Sequence, residues 1–396
     1  MHPENKNILA VNGGSSSIKF ALYATGPGVM PSRLLSGKID RIGLSDAKLT
    51  YTDSRNDKKG ELAAKASSPG EAAAFLLGWL EQQGGGAPAA IGHRVVHGLQ
   101  HRQASVIDEA LLSELRRIED YDPDHLPGEI QLIGLFRKEQ PEAVQVACFD
   151  TAFHAALPRH ARLLPLPRRY DKMGLQKYGF HGLSYAYVLE ELLRADPVRA
   201  RGAVILAHLG SGASLAAVKD GVSVDTTMGF TPTGGIVMGT RTGDLDPGVV
   251  WYLLQNEGMD AAAFSRLVNH ESGLLGVSGI SSDMQDLLAR EGEDERAAEA
   301  VDLFCYQVKK TIGAFAAVLG GLDALVFTGG IGERSPIIRS RICAGLGYLG
   351  VSLDQKANEQ NALSISAGGC PVAVYAIPTD EEWMIARTVD QLLKER

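Results

Sequence analysis

The sequence predicts an α/β protein of two domains, built by duplicating one strand–turn–strand unit. The chain has 396 residues, more than a single hydrophobic core usually organises. A buried-strand pattern at Ile8–Val11 runs through Asn12-Gly13-Gly14-Ser15-Ser16-Ser17 into a second strand carrying Ile18, Phe20 and Leu22. The same order returns where Val204-Ile205-Leu206 leads through His208-Leu209-Gly210-Ser211-Gly212 to Ser214–Val218. Gly210 follows Asn12 by 198 positions, half the chain, which is the spacing an internal duplication produces.

In the first pair, Ile18, Phe20 and Leu22 alternate with Lys19, Ala21 and Tyr23, the pattern of a strand with one buried face. Helix-forming stretches follow at 71–82, 108–118 and 129–138, with Asp108 and Gly128 as start signals. After the repeated pair, Val301, Phe304, Cys305, Val308, Ile312, Phe315 and Leu319 recur at helical spacing and predict a long core-facing helix that stops at Gly320-Gly321. Leu325–Phe327 reads as a buried strand running into a third glycine-rich turn, 328–334. Glu382 opens a last helix with Trp383, Ile385 and Ala386. Polar, glycine-rich or proline-rich connections fall at 54–60, 84–88 and 158–169, and the domain boundary is expected near Asp150.

Hydrophobic residues at 45% and charged residues at 22% are ordinary for a globular protein. A formal charge of -8 argues against non-specific nucleic-acid binding and leaves small anions as partners. Cys148, Cys305, Cys343 and Cys370 are far apart, without the spacing of a zinc site or a disulfide frame, so reduced thiols are expected. The N-terminus lacks a signal-peptide pattern, and the most apolar window, 314–327, is too short for a membrane span and holds Asp323. A cytoplasmic location without membrane attachment is the expectation.

A Gly/Ser loop after a buried strand lets backbone N–H groups and hydroxyls approach phosphate oxygens, and Lys19 can add a cation. One such loop is as readily a plain hairpin turn; three are not. The patterns GxxxxGK[ST] and GxGxxG are missing at the first strand, so neither a Walker nucleotidase nor a dinucleotide dehydrogenase is supported. Strand–loop–strand phosphate units in each half, with a late strand ending in Thr-Gly-Gly, fit an actin-like or sugar-kinase-like clamp holding ATP between two domains.

More specific strings run the length of the chain: Asn12–Lys19, His93-Arg94-Val95-Val96-His97-Gly98, Phe149-Asp150-Thr151-Ala152-Phe153-His154 and Tyr178-Gly179-Phe180-His181-Gly182. Met238–Asp244, Ser281-Ser282-Asp283-Met284, Phe327–Glu333 and Thr379-Asp380-Glu381-Glu382 continue the series. In this order they resemble the motifs of the acetate kinase (acetokinase) family. The resemblance implies two duplicated actin-like (ribonuclease H-like) domains with an interdomain active-site cleft that closes over substrate. It implies an N-terminal domain of residues 1–150 joined by a returning C-terminal helix, 383–396, and a C-terminal domain, 151–382, with the nucleotide site and the interface of a homodimer. It implies reversible phosphoryl transfer from ATP to a short-chain carboxylate, acetate first, with propionate/butyrate-type or hydroxy-acid kinases as alternatives. A non-catalytic nucleotide- or acyl-phosphate-binding regulator is the alternative from another class.

Phosphoryl transfer needs alignment and charge neutralisation more than a base, and a carboxylic acid is already ionised at neutral pH. Asp150 is therefore assigned to positioning and metal electrostatics first and proton transfer second. Arg94 and Arg241 are candidates to hold the substrate carboxylate and the transferring oxygens, with His181 a hydrogen-bond donor to the phosphoryl group. By resemblance, Val96, His125, Phe180 and Pro232 line the acid pocket, and Asn12 and Glu381 hold Mg2+, with Mn2+ able to substitute. The nucleotide, ATP or ADP, falls to Ser15, Ser17, Lys19, His208, Leu209, Gly210, Ser211, Gly212, Asp283, Met284, Gln285, Gly330, Ile331, Gly332, Glu333 and Arg334. His93, His97 and His101 recur every four positions, but the intervening Val95-Val96 and Gly98 read as strand and turn, not a metal-binding helix. Ser211 stands where the family usually has Asn, Gln285 where it has Arg, and Thr233-Gly234 departs from its Leu-Glu. Asp124 replaces a leucine that encloses the substrate methyl; either the preferred acid differs or this loop turns Asp124 into solvent.

Overall fold

The computed structural model describes residues 6–14, 17–26 and 28–395. The chain divides into two compact units, Met1–Ala152 with Asp380–Arg396, and Phe153–Thr379.

The first unit is built on strands β1 (Lys6–Gly13), β2 (Ser17–Gly26), β3 (Val29–Asp40), β4 (Lys48–Asp53), β5 (Lys58–Ala63), β6 (Ala90–Val95), β7 (Ser105–Val106) and β8 (Val144–Phe149). They form one sheet in the order β5-β4-β3-β2-β1-β6-β8-β7. The glycine/serine loop joins β1 to β2 as an antiparallel hairpin that sets Asn12 opposite Lys19. Ile18, Phe20 and Leu22 are buried as the pattern predicts, but so are Ala21 and Tyr23. Of Lys19, Ala21 and Tyr23 only Lys19 is exposed, because the inner part of the sheet is covered on both sides. On one side, Leu9, Val11, Ile18, Phe20 and Ile91 pack with helices Pro69–Gln82 and Leu126–Glu139 through Leu76, Trp79, Leu132 and Phe136. On the other lies the C-terminal helix, Glu381–Lys394. An added Cβ at Gly92 of β6 would stand 2.4 Å from Ile385 Cγ2 and 2.7 Å from Val389 Cγ2, so this glycine admits the helix.

Helix boundaries follow local chemistry. Ser68 and Asp108 cap their helices with side-chain oxygens that accept from Glu71 N and Leu111 N. The third helix begins at Leu126, not at Gly128 as the sequence suggested: Pro127 fits the first turn, where its missing N–H costs nothing. The last helix begins at Glu381, one residue before Glu382, because Asp380 is its cap and accepts from Trp383 N.

The second unit carries β9 (Ala203–Leu209), β10 (Ala213–Lys219), β11 (Val222–Thr226), β12 (Ala324–Thr328) and β13 (Ala373–Ala376) in the order β11-β10-β9-β12-β13. Its pairing repeats that of β3-β2-β1-β6-β8. In both, the first strand pairs antiparallel with its hairpin partner and parallel with a later strand, which pairs parallel with the next. Val204, Leu206, Ala216 and Val326 pack with Tyr185, Val188 and Leu192 of helix Gly182–Ala195. The long helix Glu295–Leu319, capped by Asp294 and ending at Gly320, packs on β9 and β10. The glycine-rich stretch after β12 is not an open turn but a short helix, Gly329–Arg334, whose N-cap position is Thr328. Among the described residues no helix is long and apolar enough to cross a membrane.

Candidate active site

In the first unit the polar residues of interest stand where buried strands end. Arg94 is the penultimate residue of β6, Asp150 follows β8, Asn12 is near the end of β1, and Glu381 begins the C-terminal helix. Arg94 Nε and Nη2 donate to Asp150 Oδ2 at 3.0 and 2.5 Å. Asp150 is 1% exposed, and its Oδ1 is buried without a hydrogen-bond partner. Asn12 Nδ2 donates to Glu381 Oε2 at 3.0 Å. Burial opposes the Arg94 charge, but Asp150, Glu129 and Glu381 outweigh it and raise its pKa. Burial pushes Glu381 up to about 7; Asp150 and Glu382 act in the same direction, while Arg94 and the exposed Lys19 oppose it.

These groups suit a hard cation. Carboxylate and amide oxygens are the donors magnesium prefers, it keeps most of its waters, and Asp150 Oδ1 is a buried carboxylate oxygen without a hydrogen-bond partner among the described residues. Among the described residues no group of three or more His, Cys, Asp or Glu side chains is arranged as a metal cage. The three spaced histidines are dispersed: buried His93 meets Gln145 Oε1 at 2.7 Å, and His101 meets Glu114 Oε2 at 3.1 Å.

Val96 is buried, and His125 Nδ1 lies 2.8 Å from Oδ1 of buried Asp122. Asp124 is exposed. Of the two expectations for this loop, the structure shows the second: the loop turns Asp124 outward. Glu129, which sequence reasoning missed, accepts from Val96 N at 2.9 Å and approaches Arg94 Nη1 at 3.5 Å. Its signal was available in the apolar stripe Leu126, Ile130, Ile133 and Phe136, which it interrupts at helical spacing. Ser15 lies outside the described residues; Ser17 opens β2, and its carbonyl accepts from Gly14 N at 2.8 Å.

In the second unit His181 precedes helix Gly182–Ala195 with φ 60°, a left-handed conformation rare for a non-glycine residue and frequent where function imposes strain. Its Nδ1 lies 2.9 Å from Ser214 Oγ, which lies 2.5 Å from Tyr185 Oη. The His181 ring stacks on His208 at 4.2 Å between centroids, and His208 Nδ1 meets Ser184 Oγ at 2.8 Å. An added Cβ at Gly212 would stand 3.3 Å from His181 Nε2 and 3.6 Å from Arg241 Nη1, so the glycine lets the second hairpin approach both cationic-capable side chains. Arg241 Nη1 also donates to the carbonyl of buried Pro232 at 3.3 Å. Phe180 is buried, and its carbonyl is 3.0 Å from His154 Nε2.

Beside this hairpin is a cavity of ≈ 260 Å³ walled by Gly210, Ser211, Asp283, Met284, Gln285, Gly330, Ile331 and Arg334, together with Ser282, Leu288 and Ser335. Asp283 also caps its helix, accepting from Gln285 N at 2.7 Å. Leu209 is buried in β9, and Gly332 and Glu333 lie elsewhere: Glu333 Oε1 accepts from Gly329 N and Thr379 N. Fully buried Arg339, another residue missed in the sequence, donates to Gly332 O, Asn358 O and the Asn358 and Asn361 side chains, bracing the short helix from behind.

The two units, each a hairpin strand pair extended by parallel strands, define the duplicated actin-like α/β fold. The chain belongs to the acetokinase family, whose model matches residues 7–387. It is 44% identical over 394 residues to an acetate kinase of Rhodopseudomonas palustris (strain TIE-1), covering 97% of this chain and 98% of that one. It is 42% identical over 391 residues to a propionate kinase of Citrobacter rodentium, covering 96% of each. The crystal structure of Porphyromonas gingivalis acetate kinase matches with a TM-score of 0.87 at 35% identity, over 98% of this chain and 100% of that one.

Burial pushes Glu129 up to about 8, with Asp122 and Asp150 adding to the rise against Arg94 and the Val96 N–H. A carboxyl that holds its proton more tightly when folded makes stability fall as pH rises from the unfolded pKa to the folded one. The melting temperature of E129Q, which has no charge to acquire, should therefore gain on wild type between about pH 4.5 and 8 and hold a constant offset above. Thermal denaturation across that range checks this; parallel curves would contradict it.

Proposed function

We propose that this chain transfers the γ-phosphoryl group of ATP reversibly to the carboxylate of a short-chain acid, acetate first, giving acetyl phosphate and ADP. The observation that carries this reading is the buried Arg94–Asp150 pair beside Asn12 and Glu381, in a chain that matches acetate kinases over nearly its whole length. Arg94 binds the acid, which reaches the site as an ionised nucleophile and needs no base. Asp150 orients Arg94. Asn12 and Glu381 would hold magnesium, which when bound neutralises phosphate charge. The nucleotide occupies the cavity of the second unit, with backbone N–H groups of the 210–212 turn and Gly330 near its phosphates.

We assign Tyr185 as donor to Ser214 and Ser214 as donor to His181 Nδ1, which puts the proton of neutral His181 on Nε2, the nitrogen facing Gly212. His181 Nε2–H and Arg241 are then the donors for oxygens of the moving phosphoryl group. Four free cysteines, three of them buried, suit the reducing cytoplasm.

Hydroxamate detection of acyl phosphate from acetate, ATP and magnesium tests the reaction. Arg94→Ala should cut kcat/KM for the acid by about 10²-fold or more, since it leaves Asp150 buried without its cation; no acyl phosphate from wild type would sink the proposal. The propionate kinase similarity makes propionate the second candidate acid. Because Asp124 is exposed, Asp124→Leu should shift the acetate-to-propionate ratio of kcat/KM by less than about twofold; a larger shift would put that residue back in the specificity pocket. Trp251 and Tyr252 of helix Pro247–Asn256 are 66% and 56% exposed, with Leu245 and Val249 nearby, an apolar surface suited to a homodimer contact. Trp251→Glu should convert the dimer to monomer in light scattering, and a monomeric wild type would exclude the contact.

A further inference from the structure

The arginine assigned to the acid has a second carboxylate partner. Glu129, on the inner face of helix Leu126–Glu139, is 3% exposed. Its Oε2 accepts the Val96 N–H at 2.9 Å, and its Oε1 stands 3.5 Å from Arg94 Nη1. Asp150 takes another edge of the same guanidinium through Nε and Nη2. A guanidinium carries five N–H donors in one rigid plane, so one acid hydrogen-bonded to it and a second standing beside Nη1 bias its orientation and still leave donors for a third.

We propose that Glu129 is a positioning residue for the acid substrate, a single carboxyl group that fixes both the Arg94 guanidinium and the backbone at Val96. The inference rests on the kinase reading of Arg94 and Val96. Two features separate Glu129 from a merely structural buried acid. It bridges two residues at the end of one strand, both assigned to the same ligand, and its contact with Arg94 is loose enough for its charge state to alter the grip.

The charged groups facing it are Arg94 at the end of β6, Asp150 after β8, and Asp122 in the turn before its own helix, with Glu381 acting on Arg94 from the C-terminal helix. Near neutral pH Glu129 largely keeps its proton and serves Val96 as a neutral acceptor. Once ionised, it competes with the substrate carboxylate for Arg94.

Steady-state acyl phosphate formation from acetate, ATP and magnesium, measured from about pH 6.5 to 9 for wild type, E129Q and E129L, tests this. At about pH 6.5 E129L should raise the KM for acetate about three- to tenfold, with the KM for ATP moving less than about twofold, because the Val96 N–H loses its acceptor and Arg94 the carboxyl beside it. E129Q keeps an acceptor without a charge. Its acetate KM should follow wild type near pH 6.5 and stay level to pH 9, while that of wild type climbs above about pH 8. Should E129L not fold, E129Q decides alone. Wild-type acetate KM in the folded variants across the whole range, or an E129Q profile that climbs like wild type, overturns the positioning role while leaving the kinase reading intact. A wild-type chain that forms no acyl phosphate overturns that reading and this inference with it.

Discussion

The double-sided burial of the central strands is the constraint on which the rest of the structure depends. β1, β6 and β8 in one unit and β9 and β12 in the other are covered on both faces, so their interiors carry apolar side chains almost without exception. Apart from the buried His93–Gln145 pair inside β6 and β8, the polar residues of interest stand where these strands stop. Asn12, Arg94 and Asp150 are found there in the first unit, and His208 and the 210–212 turn in the second. Parallel pairing then brings residues from distant parts of the chain side by side, as Arg94 and Cys148 are in register two residues before Asp150.

Within the first unit that placement creates an electrostatic problem with a chemical use. Asp150, Glu129 and Glu381 act on a single buried arginine, and Asp122 acts on Glu129 in turn. Burial first, and repulsion between neighbouring acids second, push Glu129 and Glu381 well above the carboxylate range. A protein built for stability alone would not retain so many buried acids, because an apolar replacement costs less than an imperfectly paired charge. Held around one guanidinium, they orient it.

The second unit positions its histidine and arginine by other means. Close approach at Gly212, a left-handed His181 and a hydroxyl relay through Ser214 fix an imidazole beside Arg241. Buried Arg339 bonds only to carbonyl and amide oxygens there, tying the helix of Gly330 to the segment of Asn358 and Asn361. Both halves use the same strand pairing, one to hold acids around an arginine and the other to set an imidazole beside a second arginine.

Local patterns in the sequence were enough for the strands, the hairpin turns, the long helix and the repeat of one unit, because backbone hydrogen bonding and apolar periodicity act over a few residues. The ordered motifs were likewise legible, and with them the family. What a single strand or helix cannot encode is what packs against it. That is why the alternation at Ala21 and Tyr23 did not reveal their burial, why Glu129 went unremarked inside its helix, and why the sequence left two readings open for Asp124. The glycine/serine loop at Asn12 shows the division. Its composition alone set out a turn between strands that can approach phosphate, whereas only the tertiary structure brought Asn12 to Glu381, 369 positions away, since burial and charge pairing depend on neighbours that the chain order does not name.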